Sequence, residues 1–381
     1  MRMLPSLRIQ DEGRQEVDLI LSDTERRIYE IYRQAAIELR DKADSYLAQF
    51  QIEDQRNAQK VRDGLMSAED YNRWRISHMA TGRRWYEAAH TMAANMSNYN
   101  QIAASTYGST LPEVYTIGYN YNLYRAEQQA GFFTSFTMFD IDTVERLIRD
   151  EPDLLPMPKI DSEKDIRWNQ KIIASEMTQA ILQGETIPEI ANRLAVKCAG
   201  MNERAAVRNA RTAYTSAENG GRMESYRQLT GAGVKMKKQW VATIDGATRD
   251  SHRWVDGEER DDPDAEFSNG LLYPGDPAGE PEEVYNCRCT LITTYAGVDV
   301  GFMRGGRSSS FRVGRELGDF TTMTYQEWKG QKREQSRSER SSGRTERVNP
   351  DNPSYGYSGR NSARIYVDDE EERRRKKRKK K

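Results

Sequence analysis

The sequence predicts an α+β protein, with a mainly α-helical N-terminal domain, a small α+β C-terminal module and a disordered basic tail. Three observations carry this reading. Up to about residue 230, apolar residues recur at helical spacing. After "TGAG" the pattern turns to the alternation of "VKMKKQWVATI" and the β-branched "NCRCTLITTY", as strands require. From Gly330 onward the chain is polar, rich in serine and arginine, and nearly free of apolar periodicity, so it cannot cover the entropic cost of folding.

In order along the chain, Ser22 stands three residues before Glu25 as a capping box. It opens a long amphipathic helix with Ile28, Ala35, Leu39, Tyr46 and Phe50 at helical spacing. Ser67 with Asp70 repeats the signal and opens a second long helix or a kinked pair, whose weak point is Gly82. The aromatics crowded between Tyr71 and Phe139 are read as core residues with a polar rim of hydroxyls, in preference to base-stacking platforms. Pro152, Pro156 and Pro158 interrupt the helical pattern. They mark a linker at 151–162 between a helical domain of 1–150 and a module of 163–329, with the tail at 330–381. Ile166, Ile173, Met177 and Ile181 define a helix ending at Gly184, and Thr186 with Pro188 starts a short one.

The next helix, "ERAAVRNARTAYTSAENGGRMESYRQL", is the most informative. Arg204, Arg208, Arg211, Thr212, Thr215, Asn219 and Arg222 fall within one narrow arc at 3.6 residues per turn. Val207, Ala210, Tyr214, Ala217 and Gly221 take the adjoining face, where small residues admit a close neighbour. Such a stripe is either solvated or buried against acidic and carbonyl partners; the second is preferred, because Arg and Thr donors organise nearby loops.

"WVATIDGATRDSHRWVDGE" concentrates Trp240, Asp245, Thr248, Arg249, Asp250, His252, Asp256 and Gly257. Read as an enzyme, His252 is a general base oriented by Asp245 or Asp256, with Arg249 stabilising a developing anion, as phosphodiester cleavage would need. Read as a scaffold, Asp245 caps a short helix starting near Thr248, Arg249 pairs with a carboxylate, and Asp256–Gly257 makes a tight turn. The scaffold is preferred, since neither a recognisable nucleophile nor a second catalytic histidine stands nearby.

The chain has three cysteines, Cys198, Cys287 and Cys289, too few for a disulfide framework and in keeping with reducing surroundings. In an extended segment Cys287 and Cys289 face one side and Arg288 the other. Three readings stand. With His252 the thiols hold zinc, although one intervening residue is a weaker signature than two. A disulfide between positions two apart would be strained. Otherwise the thiols pack as small apolar groups while Arg288 ties down the acidic loop before them, which is the preferred reading and assigns no cofactor.

The net charge of −1 hides an asymmetry: residues 330–381 carry 17 Lys/Arg against 9 Asp/Glu, leaving −9 on the remainder. The tail ends in nine bases, Arg373, Arg374, Arg375, Lys376, Lys377, Arg378, Lys379, Lys380 and Lys381, next to five acids, Asp368 to Glu372. This predicts an anionic partner, with nucleic acid held through phosphates by counterion release. No stretch approaches the apolar run of about 20 residues that a membrane span needs, and the N-terminus lacks a signal-peptide centre, so an intracellular setting without a membrane partner is expected.

Taken together, "ILQGETIPEIANRL", "RNARTAYTSAENGGRMESY", "WVATIDGATRDSHRWVDGE", "LLYPGDPAGEPEEVYNCRCTL" and "MTYQEWKG" follow one another in an order similar to that of a known family. From Asp161 to Trp328 the chain resembles the phage minor head proteins of the Mu F-like and SPP1 head-morphogenesis family. The resemblance carries over Arg211, Thr212, Asp245, Thr248, Arg249, His252, Asp256, Gly257, Asn286, Cys287, Arg288 and Cys289 as motif residues. It implies a non-enzymatic minor capsid protein that joins the portal during procapsid assembly in the host cytoplasm and ends inside the virion head. Portal protein, scaffold or major capsid protein, and double-stranded DNA are the partners it implies, with the N-terminal helices facing portal or scaffold. Many relatives place a further cysteine or histidine ahead of the "CRC" triplet and near the Asp–Thr–Arg turn, where this chain has Tyr285 and Asp250–Ser251. The alternatives are a hydrolase or nuclease using His252, and a pure nucleic-acid-binding module.

Overall fold

A computed structural model describes residues 11–130, 136–155, 157–295 and 323–341. The basic run Arg373–Lys381 and most of the proposed tail lie outside the described residues. The chain is α+β as expected, with helices predominating and one three-stranded antiparallel sheet. Among the described residues, no helix is long and apolar enough to cross a membrane.

Helix α1 (Glu12–Leu47) begins at Asp11, whose side chain accepts from the Arg14 amide at 2.8 Å. The start expected at Ser22 is therefore corrected: Ser22 lies mid-helix, because Val17, Thr24 and Ile28 continue one buried stripe through it and no breaker intervenes. A Ser-x-x-Glu pattern caps a helix only where the preceding backbone is free to leave it. The stripe runs on through Tyr32, Ala35, Leu39, Ala43 and Leu47. After α2 (Gln51–Arg62), Ser67 caps α3 (Ala68–Met79) by accepting from the Asp70 amide at 3.0 Å. The expected kinked pair is a break, since Gly82 adopts φ +83° and starts α4 (Gly82–Gly108) as a separate helix. α5 (Leu111–Ala130) and α6 (Ile141–Asp150) follow. The aromatic region supplies core as read: Tyr107, Tyr115, Tyr119, Tyr121 and Tyr124 are buried, and the Tyr119 hydroxyl donates to Gln228 at 2.6 Å.

α7 (Ser162–Leu182) ends as predicted before Gly184, and Thr186 forms a capping box with Glu189. What was read as a short helix and then a long one is a single 45-residue helix, α8 (Ile187–Gly231). Gly200 in its interior costs about 1 kcal/mol of helix propensity. That is offset by packing on both sides, since Cys198, Ala199, Asn202 and Ala206 are all buried. Asn202 also bridges helices, donating to Asn169 at 2.8 Å and accepting from Asn100 at 2.7 Å.

At 1.5 Å per residue α8 extends over roughly 67 Å, and it links two apolar clusters. Its first two-thirds pack with α1, α4, α5 and α7; its C-terminal Met223, Tyr226 and Leu229 pack with the sheet. α5 accompanies it through both clusters. The two helices touch backbone to backbone, because a Cβ at Gly118 would strike the Glu218 carbonyl and one at Gly221 would strike the Tyr115 carbonyl. Gly221 belongs to the small-residue face that the sequence marked for close approach. The linker prolines do not open a gap between these helices: Leu155 is buried and Pro158 packs beside Gly108.

The sheet, in order β2-β1-β3, is built from β1 (Met236–Val241), β2 (Glu259–Arg260) and β3 (Thr290–Tyr295), with Trp240 opposite Leu291 and Lys238 opposite both Arg260 and Thr293. Two short helices, α9 (Asp250–Trp254) and α10 (Pro281–Val284), lie in the connections. The tail is expected from Gly330, but α11 (Tyr325–Ser341) is helical past that residue. Thr324 and Glu327 form its N-terminal cap, and its buried Tyr325 and Trp328 pack on α5. Trp328 Nε1 donates to Glu127 at 2.6 Å and the Lys332 ammonium pairs with the same carboxylate at 2.7 Å.

Two glycines of α8 have opposite expected effects. Gly221→Ala should destabilise the fold by about 3 kcal/mol through forced separation of α5 and α8. Gly200→Ala, which meets only the Arg204 guanidinium at 3.5 Å, should stabilise by about 0.5–1 kcal/mol. Urea denaturation of both variants measures the contrast, and equal effects would contradict the close crossing.

Candidate functional site

Three α8 side chains, one or two turns apart, lie along the open edge of β3 and the residues leading into it. Thr215 Oγ1 donates to the Cys287 carbonyl at 2.8 Å. Asn219 donates to the Cys289 carbonyl at 3.1 Å and accepts from the Leu291 amide at 2.8 Å, while also donating to the Pro274 carbonyl at 3.1 Å. Arg222 approaches the Leu291 carbonyl at 3.5 Å. Residues 287, 289 and 291 share one parity, so their backbone groups point to the same edge. Alternate strand residues repeat at about 6.7 Å, close to the 6 Å or so between helix positions four apart. The helix therefore meets the strand in register.

One turn earlier, Thr212 Oγ1 accepts from the Asn286 amide at 3.0 Å. Asn286 has φ +56°, a left-handed conformation that asparagine tolerates and that turns the chain into the strand. The stripe read from the sequence thus divides in two. Arg204 and Arg208 are exposed, and Arg211 reaches Glu25 on α1 at 2.6 Å instead of a loop. Thr212, Thr215, Asn219 and Arg222 are buried and organise loop backbone, as preferred above. Arg222 is also held by Glu218 at 2.8 Å and Asp11 at 2.7 Å, and Arg14 pairs with Glu218 at 2.5 Å.

The 242–257 segment is braced in the same way. Arg288 binds Asp245 through two bonds of 2.5 and 2.8 Å, and this pairing above all lowers the Asp245 carboxyl to about 2. Arg288 thus ties down the turn after β1, not the acidic loop ahead of the cysteines. Asp245 accepts from the Ala247 amide and the Thr248 hydroxyl, forming an Asx turn. It does not cap α9, whose N-cap is Arg249 and which has no side-chain cap. Arg249 donates to the Tyr285 carbonyl, not to a carboxylate. Asp256 accepts from the Ala242 amide at 3.0 Å, and Gly257 takes φ +83° in the expected turn. Trp240 is fully buried, with its ring edge-on to His252 at 5.2 Å.

Cys287 and Cys289 do point to one buried side, while Arg288 is exposed. His252 Nδ1 stands 3.7 Å from Cys287 Sγ and 3.4 Å from Cys289 Sγ. The hydrogen bond from Cys287 lowers the Cys289 thiol, and that same bond together with burial raises Cys287. The carboxylate beside His252 is neither Asp245 nor Asp256 but Glu283, whose Oε2 is 2.9 Å from Nε2 and also accepts from the Ser251 hydroxyl.

Two contributors carry no sequence signal. Glu283 is one acid among several in its loop. Lys238 interrupts an alternating strand, yet its ammonium is buried and donates to the carbonyls of Pro263 at 2.8 Å and Leu272 at 3.0 Å. Burial, followed by the charge of Arg227, lowers its pKa to about 8.

Residues 171–292, which span most of α7, all of α8 and the braced turns, match the family described as Phage Mu protein F like protein. The chain is 27% identical over 223 residues to Minor head protein GP7 of Bacillus phage SPP1, covering 58% of this chain and 69% of that protein. It is 28% identical over 158 residues to NAD(+)--arginine ADP-ribosyltransferase EFV of Enterococcus faecalis, covering 41% of this chain and 30% of the transferase. No solved structure matches.

Asn219→Ala should cost about 2–4 kcal/mol, since it leaves the buried Leu291 amide and two carbonyls without partners. Thr212→Ala should cost about 1 kcal/mol, and denaturant titration ranks the two. Lys238 supplies a pH test. From about pH 8 to 10.5 the unfolded chain keeps a proton that the folded chain has released, so stability should rise with pH relative to a Lys238→Met variant. A difference in melting temperature that stays flat across that window would contradict the burial of this ammonium.

Proposed function

This chain carries the Mu F-like region of phage minor head proteins, and from that premise we propose that it is a structural, non-catalytic part of a phage head. The observation that supports this best is where the motif residues direct their polar groups. Thr212, Thr215, Asn219, Arg249 and Asp256 bond to backbone of the protein itself, and Arg288 bonds to Asp245. A catalyst must aim such groups at a substrate; these hold turns together. His252, the base of the rival nuclease reading, is buried with its ring nitrogens directed at two thiols and Glu283. The transferase activity belongs to the Enterococcus protein by its name, and this chain spans 30% of that protein's length.

In the proposed role the N-terminal helices dock on the portal, or on scaffold or major capsid protein, during assembly in the host cytoplasm. Exposed apolar side chains on that part of the molecule, Leu19, Ile52 and Leu65, give such a contact something to bury. The domain of 1–150 is then the assembly face and 163–329 the braced scaffold. Inside the head, Arg373–Lys381 engage the phosphates of packaged DNA, and the neighbouring acids Asp368–Glu372 limit binding elsewhere.

Co-expression with a portal protein should yield a complex that survives size-exclusion chromatography, and separate elution of both would contradict portal docking. Deleting residues 373–381 should flatten the dependence of log DNA affinity on log salt by as much as about eight. An unchanged slope would remove the tail as the DNA contact. Nuclease turnover that is present in the parent and lost in His252→Ala would overturn the non-catalytic reading.

A further inference from the structure

We infer that Cys287, Cys289 and His252 form a binding site for one zinc ion, a feature that the head-protein reading neither requires nor supplies. The three ligand atoms lie within 4.8 Å of one another, and all three residues are buried. In a tetrahedral site with Zn–S near 2.3 Å and Zn–N near 2.0–2.1 Å, a sulfur and a nitrogen ligand stand about 3.6 Å apart. The observed separations from Nδ1, 3.7 and 3.4 Å, bracket that edge. The trio is thus spaced as ligands around an ion are spaced.

The chemistry of the donors agrees with the geometry. Two thiolates and a neutral imidazole cancel the charge of a divalent cation, which suits three ligands that are all buried among apolar side chains such as Trp240 and Leu291. Thiolate and imidazole together select zinc over magnesium or calcium. Behind the imidazole, Glu283 Oε2 sits 2.9 Å from Nε2; with an ion on Nδ1, Nε2 would carry the proton and turn it to this carboxylate, as ligating histidines do. Ser251 in turn holds that carboxylate at 2.9 Å.

His252 rides on α9, whereas the cysteines enter β3 and are pinned by α8 through Thr215 and Asn219. An ion here fastens α9 to β3. Among the described residues no fourth cysteine, histidine or acid joins the three.

The full chain is purified without chelator or metal-affinity tag, equilibrated with zinc and dialysed, and its metal content is measured by plasma emission. About one zinc per chain is expected, with Cys287→Ser and Cys289→Ser each retaining about a tenth or less. Glu283→Gln should weaken zinc binding by about 10–100-fold with the helical circular dichroism unchanged. Cobalt in place of zinc should show thiolate charge-transfer absorption and the visible bands of a tetrahedral ion. Less than about a tenth of an equivalent in the parent would overturn the site; so would cysteine variants that hold as much zinc as the parent. If those variants fail to fold, the parent's cobalt spectrum decides: absence of the thiolate band overturns the proposal.

Discussion

An edge strand presents a row of unpaired backbone groups, and in this protein the side chains of a helix meet them. Asn219 gives a hydrogen bond to the Cys289 carbonyl and takes one from the Leu291 amide, as a peptide group of a neighbouring strand would. Thr215 donates to the Cys287 carbonyl, and Arg222 reaches the Leu291 carbonyl. Open strand edges invite pairing with other chains. Covering this edge with a helix removes that route and fixes the module to the long helix that enters the bundle.

The same helix carries the buried charges that fix its other neighbours. Glu218 and Arg222 lie almost wholly out of water, and Asp11 and Arg14 from the start of α1 complete the group. Burial of charge is costly, and removing one partner leaves the other unpaired. Such a group contributes less to net stability than to a single arrangement: α1 must arrive at α8 in the register that neutralises both. The opposite end of α5 is held by Trp328 and Lys332 around Glu127. The structure is therefore braced by polar contacts at several points along α5 and α8.

Much of this was legible in the residues, and the exceptions have physical causes. The arc from Arg204 to Arg222 located the bracing face because helical period alone orders it, and alternation alone sent both thiols inward. Period cannot say where a helix meets solvent, so the exposed Arg204 and Arg208 were grouped with the buried Asn219. The continuity of α8 leaves little local mark, since Gly200 weakens a helix locally and packing by Cys198 and Asn202 restores it from a distance. The module's expected end at 329 cuts α11 for a similar reason: beyond Trp328 the helix has no apolar ring of its own, and the partners that anchor Tyr325 and Trp328 lie on α5, some two hundred residues away. Glu283 and Lys238 left no mark, since each works through one atom placed by tertiary structure.

The central claim is that α8 side chains, in place of a strand, hold the edge of β3. Native-state hydrogen exchange of the Leu291 and Asn286 amides tests it most directly, because their bonds run to Asn219 and Thr212. The account predicts protection equal to that of amides within α8 and the β1–β3 ladder, lost only on global unfolding. Exchange at the rate of an exposed loop, while the ladder stays protected, would contradict it.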